Sequence, residues 1–356
     1  MRENVALMND AVRSLPPLRH LPLVTLYLSE RCNSRCITCD YWRHGRGDMS
    51  LASVTRLLPS LAELGTELVL ISGGEPLLNR EWAEIAAALR SQGLAVWLLT
   101  SGLSLAKHAR RAAQLFDSIT VSLDGTDAGT YAKIRGVDAF ANVCEGISAA
   151  VSAGASVSIR TTLQQSNYGQ LPAFVELARH LGVRQISFLA ADVANPHAFG
   201  REAGFASDMA LRPDDLPEFA RLLVALERDR AEDFRSGFIA ESPQKLRRIL
   251  EYFKAVCGLG AHPPVRCNAP EFSAVVGADG SVKPCFFIPG PTGLRHAGDL
   301  GHALNTDGMT QLRSAIRERR REECARCVCS MWRDPVALQL RPVVTTAEAQ
   351  SVAIQP

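Results

Sequence analysis

The chain has 356 residues, with 39 Lys and Arg against 37 Asp and Glu, a net charge of +2 and 47% hydrophobic residues. That balance leaves no electrostatic footprint for nucleic acid, and the longest apolar runs are too short to cross a bilayer. The N-terminus lacks the charged and apolar regions of a secretory signal, so a cytoplasmic protein with one large core and a smaller unit is expected.

In chain order, residues 1–20 read as an arm with a short amphipathic pattern that stops at Pro16-Pro17. From Leu21, β-rich runs alternate with helical periods. The strands are expected at Val24–Ser29, Leu68–Ser72, Ala95–Thr100, Ser118–Leu123, Ser156–Leu163 and Gln185–Ala190. Gly65, Gly93, Gly154 and Gly182 each stand just before a strand, where a helix ends. Six βα units in succession imply a parallel sheet with right-handed crossovers and chemistry at the C-terminal strand ends. Pro59 falls inside the first helical pattern and should kink or split it. Residues 191–260 read as a long loop, Asp192–Asp208, followed by helices over 212–228 and 243–256. Loop residues Asp192, Asn195 and His197 are candidate substrate contacts, set against simple surface exposure.

The ten cysteines point to metal ligation rather than disulfides. Directly after the first strand comes Cys32-Asn33-Ser34-Arg35-Cys36-Ile37-Thr38-Cys39. Three thiolates at this C-x3-C-x2-C spacing can hold three corners of a cubane iron–sulfur cluster and leave one iron open. A closed zinc site would need a fourth ligand, and only His44 stands near. After the second strand, Ser72-Gly73-Gly74-Glu75-Pro76 offers close backbone approach and a carboxylate, or simply a tight turn. Thr100-Ser101-Gly102 and Ser122-Leu123-Asp124-Gly125 end strands three and four, as turns or as hydroxyl and carboxylate ligands. Arg160 lies within a β-rich run and should face a cavity or a partner, or else sit at a sheet edge.

A second thiol set follows. Cys267 and Cys285 flank an Asp279-Gly280 hairpin signal, and Cys324-Ala325-Arg326-Cys327-Val328-Cys329 adds a C-x2-C pair with an extra thiol. Four thiolates suit zinc or an iron–sulfur cluster. Cys144 reads as core, and Cys257, at a helix end, as an inert packing thiol against a hydrogen donor.

The cysteine triplet with Gly73-Gly74-Glu75-Pro76 resembles the radical S-adenosylmethionine (radical SAM) superfamily, over about Leu21 to Trp332. The resemblance implies an α/β fold, a partial (β/α)6 TIM-like barrel, with a 4Fe–4S cluster on Cys32, Cys36 and Cys39. It implies S-adenosyl-L-methionine (SAM) against Gly73, Gly74, Glu75 and Ser122, with Thr100, Asp124 and Arg160 as further cofactor contacts. Ile134-Arg135-Gly136 looks like a family-typical segment. Cys267, Gly280, Cys285, Cys324 and Cys327 are similar to the auxiliary-cluster region of SPASM/twitch enzymes, which implies a second 4Fe–4S cluster, with Cys329 as a replacement ligand or an extra thiol. The domains are then an arm (1–20), the barrel (21–190), a loop and helical extension (191–260), a twitch-like unit (261–334) and a tail (335–356).

The expected function is reductive cleavage of SAM to a 5′-deoxyadenosyl radical that abstracts hydrogen from a small metabolite. The auxiliary cluster would assist oxidation or bond formation. The alternative is a maturase that cross-links or epimerises a ribosomally made peptide. The molybdopterin-pathway members are a poor match, because the C-terminal cysteine spacing differs. A reading from another class is a non-catalytic iron–sulfur electron-transfer protein. The expected partners are a small-molecule substrate, with a peptide as the alternative, and an electron donor such as flavodoxin or ferredoxin, with neither nucleic acid nor membrane.

Overall fold

The computed structural model describes residues 16–195, 198–201, 207–291, 293–296 and 298–334. The amphipathic stretch before Pro16, His197 and the tail after Asp334 lie outside the described residues.

Six strands run parallel as the sequence pattern requires: β1 (Leu23–Ser29), β2 (Leu68–Gly73), β3 (Ala95–Thr100), β4 (Ser118–Ser122), β5 (Val157–Leu163) and β6 (Gln185–Ala190). The short α1 (Tyr41–His44) follows the cysteine triplet. The crossovers are α2 (Leu51–Glu63), α3 (Trp82–Ser91), α4 (Leu105–Leu115), the pair α5 (Ala128–Arg135) and α6 (Phe140–Ser152), and α7 (Leu171–His180). Then come α8 (Leu216–Asp229), α9 (Ala231–Arg235) and α10 (Pro243–Val256). Among the described residues no helix is long and apolar enough to cross a membrane.

The strand period of two divides the side chains between two faces. Val24, Leu26, Val69, Ile71, Val96 and Leu98 point outward and join the helices in one large core. The inner face has two characters. On β1–β3 it is apolar, where Leu23, Leu68 and Leu70 cluster with Trp97, Leu99 and Phe286. On β4–β6 the alternating set includes Thr120, Ser122, Ser158, Arg160 and Ser187, with the Thr120 and Ser158 hydroxyls 3.1 Å apart. The sheet thus offers a greasy wall and a polar, cationic wall to whatever lies against it.

Of the two outcomes the sequence pattern allows at Pro59, a kink or a split, the helix is not split. The helix α2 is continuous, with Val54, Leu57 and Leu61 buried on both sides of the proline. An interior proline costs about 3 kcal/mol, and burying three such side chains returns about 2 kcal/mol each.

The C-terminal region adds a hairpin, β7 (Ser273–Val276) and β8 (Val282–Lys283), turning through Asp279-Gly280 as the sequence predicts. Sequence spacing did not show where this ribbon goes. It lies against β1 in parallel register, from Leu23↔Ser273 to Leu26↔Val276, giving an eight-stranded sheet of order β6-β5-β4-β3-β2-β1-β7-β8. Three helices, α11 (Leu300–Leu304), α12 (Asp307–Arg317) and α13 (Glu322–Ala325), then lead to the last cysteines.

Candidate active site and metal centres

The cysteine triplet is carried by a loop that leaves β1 and is held from both sides by backbone pairing. On one side the Gly74 amide donates to the Ser29 carbonyl (2.7 Å) and the Glu75 amide to the Arg31 carbonyl (2.8 Å). A Cβ on Gly74 would lie 2.3 Å from the Arg31 oxygen, and one on Gly73, at φ +122°, 2.5 Å from the Ser29 oxygen. On the other side the Arg35 and Ile37 amides donate to the Arg135 and Ile134 carbonyls at 2.9 and 3.0 Å. A Cβ on Gly136 would meet the Arg35 oxygen at 2.3 Å. The glycines are therefore set by the close approach of the cysteine loop, whatever ligand they also meet. This gives the Ile134-Arg135-Gly136 segment a scaffold position that its sequence alone did not reveal.

Two buried carboxylates complete this scaffold. Glu75 is fully buried and accepts from the Leu77 amide (3.1 Å), the Thr100 hydroxyl (2.7 Å) and the Ser101 amide (2.6 Å). It ties the end of β2 to the end of β3, so the Glu75 and Thr100 side chains both serve the protein itself. Asp124 receives the Arg135 guanidinium at 3.0 Å and the Thr162 amide at 2.7 Å, and its own carbonyl accepts from Asn167. Its carboxylate is likewise committed to holding the chain. The Ser101 hydroxyl reaches Asn33 inside the cysteine loop at 3.0 Å.

Burial pushes the thiols of the triplet up, Cys32 to about 11 and Cys39 to about 12, and raises Cys36 as well. The thiols press on one another, Cys36 on both of the others, while the Arg135 guanidinium pulls all three back down. Such groups stay protonated until a metal displaces the proton. An all-thiol set of three in one loop fits an iron–sulfur cluster with an open iron.

Farther along the inner face, Ser122 and Arg160 stand side by side in the β4–β5 register. The Arg160 Nε is buried with no hydrogen-bond partner among the described residues. Of the sequence-predicted cofactor contacts, Ser122 and Arg160 thus face the inner space.

The second thiol set converges as predicted. Cys267, Cys285, Cys324, Cys327 and Cys329 all line one small apolar cavity of about 30 Å³. Burial raises Cys285 to about 12 and Cys324 to about 11, and lifts Cys327 well above its ordinary value. Cys329 is raised too, but Arg160 and Lys245 oppose the shift, so it stands where this cavity meets the cationic wall. Among the described residues no three His, Cys, Asp or Glu side chains form a group that could hold a single metal ion. Cys257 donates to the Leu211 carbonyl at 3.1 Å beside α10, and Cys144 packs at the margin of the main core.

Several residues that bridge the two thiol sets escaped the sequence reading. Tyr27 and Tyr41 meet edge to face, with ring centroids 5.6 Å apart. Burial raises both phenols, Tyr41 to about 12, and the thiols Cys39 and Cys285 add to each shift. The loop after β6 makes a second bridge. Asn195 donates to the Phe287 carbonyl (3.0 Å), and Arg201 donates to the carbonyls of Asn195 (3.3 Å) and Thr38 (3.2 Å). Asp192 caps that loop, accepting from the Ala194 and Asn195 amides at 2.9 Å. Asp192 and Asn195 are buried and structural in this arrangement, and nothing local in the sequence signals pairing over such separations.

Comparison with known proteins agrees with this geometry. Residues 26–178 match the family model of the radical SAM superfamily. Over 176 residues the chain is 35% identical to the GTP 3′,8-cyclase of Pectobacterium atrosepticum, covering 46% of this chain and 53% of that enzyme, about half its length. Over 276 residues it is 28% identical to a probable GTP 3′,8-cyclase of Saccharolobus solfataricus, covering 76% and 84% of the two chains. Among solved structures, Streptococcus suis SuiB bound to its precursor peptide SuiA superposes with a TM-score of 0.62 at 16% identity, over 84% of this chain and 68% of that one.

Proposed function

We propose that the chain, whose residues 26–178 match the radical SAM superfamily, is an enzyme of that kind and abstracts a hydrogen atom from a peptide substrate. Membership implies a 4Fe–4S cluster and SAM, which together supply one-electron cleavage of the sulfonium and a 5′-deoxyadenosyl radical. Cys32, Cys36 and Cys39 would hold the catalytic cluster, and Cys267, Cys285, Cys324 and Cys327 a second one, with Cys329 the spare or replacement thiol. The backbone at Gly73, Gly74 and Glu75 would bind the methionyl end of SAM, with Ser122 close by. Arg160 would take a carboxylate. Glu75, Thr100 and Asp124 serve this site by fixing the strand ends that carry those groups.

The observation that carries the peptide reading is the cleft at the C-terminal end of β6. The cleft beside β6 encloses about 610 Å³ and is lined by Phe188, Leu189 and Ala190 on one side and by residues 325–328 of the cysteine-bearing loop on the other. The outward amides of β6 alternate. Ile186 donates to Phe238, and Phe188 to the Glu241 carboxylate. By that alternation the Ala190 amide points at the cleft, where an extended chain could add to the edge. The likeness to SuiB in complex with its precursor peptide suits this reading. A nucleotide-like metabolite is the second reading, supported by the sequence relatives named GTP 3′,8-cyclase.

Deuterium transfer separates the two. Extract from cells grown in heavy water is divided by size, and each fraction is incubated anaerobically with reconstituted enzyme, SAM and reductant. Label should reach 5′-deoxyadenosine from the peptide fraction. Label from the small-molecule fraction alone would overturn the proposal.

A further inference from the structure

The cleft beside β6 is strongly cationic. Lys245 and Arg248 project into it from the first turns of α10, Arg266 from the segment before Cys267, and Arg326 from between Cys324 and Cys327. Glu241 is the one carboxylate among its lining residues. Glu241 is buried and occupied, accepting from the Ser187 hydroxyl (2.9 Å) and the Phe188 amide (2.8 Å), with the Lys245 ammonium 3.9 Å away. Two of the other cations are fastened without neutralisation. Arg248 donates to the Pro264 carbonyl at 2.5 Å, and Arg266 lies over the Trp332 ring at 3.7 Å. Among the described residues, Arg248, Arg266 and Arg326 form no ion pair with a carboxylate.

These charges continue inward. Lys245 lies within electrostatic reach of both Arg248, toward the rim, and Arg160, on the inner face of the sheet. The Lys245 Nζ is buried without a hydrogen-bond partner, as is the Arg160 Nε. The positive groups therefore come from separate segments: α10, the stretch before Cys267, the last cysteine loop and β5. Cations supplied by several segments suit a ligand that carries more than one carboxylate.

We infer that the cleft of Lys245, Arg248, Arg266 and Arg326 binds an acidic segment of the peptide substrate and leads it past β6 to the radical site. This rests on the peptide reading above. The cations supply charge recognition, the β6 edge supplies backbone recognition, and Trp332 with its stacked arginine forms one wall.

The test measures binding by the anaerobically reconstituted holoenzyme and needs no turnover. Fluorescence anisotropy follows three labelled probes: a short Ala/Gly peptide with interspersed Glu, the same peptide with Gln, and GTP. The Glu peptide should bind at least tenfold more tightly than the Gln peptide and weaken as salt is raised. Arg266→Gln and Arg326→Gln, both on exposed residues, should each weaken it about threefold to tenfold. Lys245→Gln should do the same, and the two arginine variants carry the test if that one fails to fold. Equal binding of the Glu and Gln peptides would overturn the charge inference and leave the peptide reading standing. Binding of GTP with neither peptide bound would overturn both. Full affinity of the Glu peptide for Arg266→Gln and Arg326→Gln would overturn the assignment of the site.

Discussion

Replacing Asp124 by Asn tests whether a buried ion pair holds the Cys32–Cys39 loop. The carboxylate is 1% exposed and meets Arg135, itself 9% exposed, at 3.0 Å. At an effective dielectric of about 20, charges at that separation attract by about 5 kcal/mol before solvation is counted. Asparagine keeps the shape and can still accept from the Thr162 amide, but it turns the Arg135 guanidinium into an unpaired buried cation. Breaking such a pair from one side costs about 3–5 kcal/mol. Taking the lower figure, and about 2–4 °C per kcal/mol for a domain of this class, Tm should fall by about 6–12 °C. Because Arg135 and Ile134 carry the carbonyls that hold Arg35 and Ile37, the variant should also lose iron from the Cys32 loop. Anaerobic thermal unfolding by circular dichroism, with iron content and electron paramagnetic resonance of the reduced protein, reads both effects. The double variant D124L/R135M leaves no charge unpaired and should recover most of the lost Tm. A D124N protein with unchanged Tm and full iron content would refute the reasoning.

Gly74→Ala should strip the proposed cluster loop of iron, since its methyl would sit 2.3 Å from the Arg31 carbonyl. Gly93→Ala is the control: at φ +77° its methyl meets nothing within 4 Å, so it should cost only about 1–2 kcal/mol of backbone strain and keep its iron. The Glu241 carboxyl is held above its ordinary value of 4.5 by burial, against the pull of Lys245 and its two hydrogen bonds. The folded protein thus keeps a proton that the unfolded chain gives up, so this group's contribution falls as pH rises from 4.5 through the folded value. Urea unfolding across that window should show a smaller loss with rising pH for Glu241→Gln than for the parent, and identical slopes would dismiss the assignment. Tyr41→Phe removes the hydroxyl that meets Tyr27 between Cys39 and Cys285. It should cost about 1 kcal/mol, read as a small Tm drop, and no change in Tm would show that the phenols do not stabilise each other.

What the sequence made legible was local. The strands of the barrel declared themselves by period and by the glycines before them, and the observed bounds fall within a residue of the expected ones. The first thiol set was visible because cysteine spacing within a loop is a short-range property, and the second because a hairpin signal and a C-x2-C pair are each local too. The roles of Glu75, Thr100 and Asp124 were harder. A carboxylate at a strand tip looks alike whether it faces a ligand or its own neighbours, and only the fold shows Glu75 meeting Thr100 and Ser101. Lys245 gave no signal either, because its setting depends not only on nearby Glu241 but on Arg160 and Cys329 arriving from two distant segments. At Pro59 the helix runs on for the same reason, since propensity is local and the burial that opposes a split is not.

The pairing of β7 with β1 bears on how this protein can be taken apart. The strand that launches the Cys32–Cys39 loop is also the strand on which the C-terminal ribbon is laid. Cutting the chain before Cys267 would uncover the edge of β1, a strand buried at every position, and offer its free backbone groups to any other chain nearby. The C-terminal region is therefore a poor candidate for transplanting onto another barrel or for expression by itself. Variants that exchange substrate range should be built by altering side chains along the cleft, with the sheet left whole.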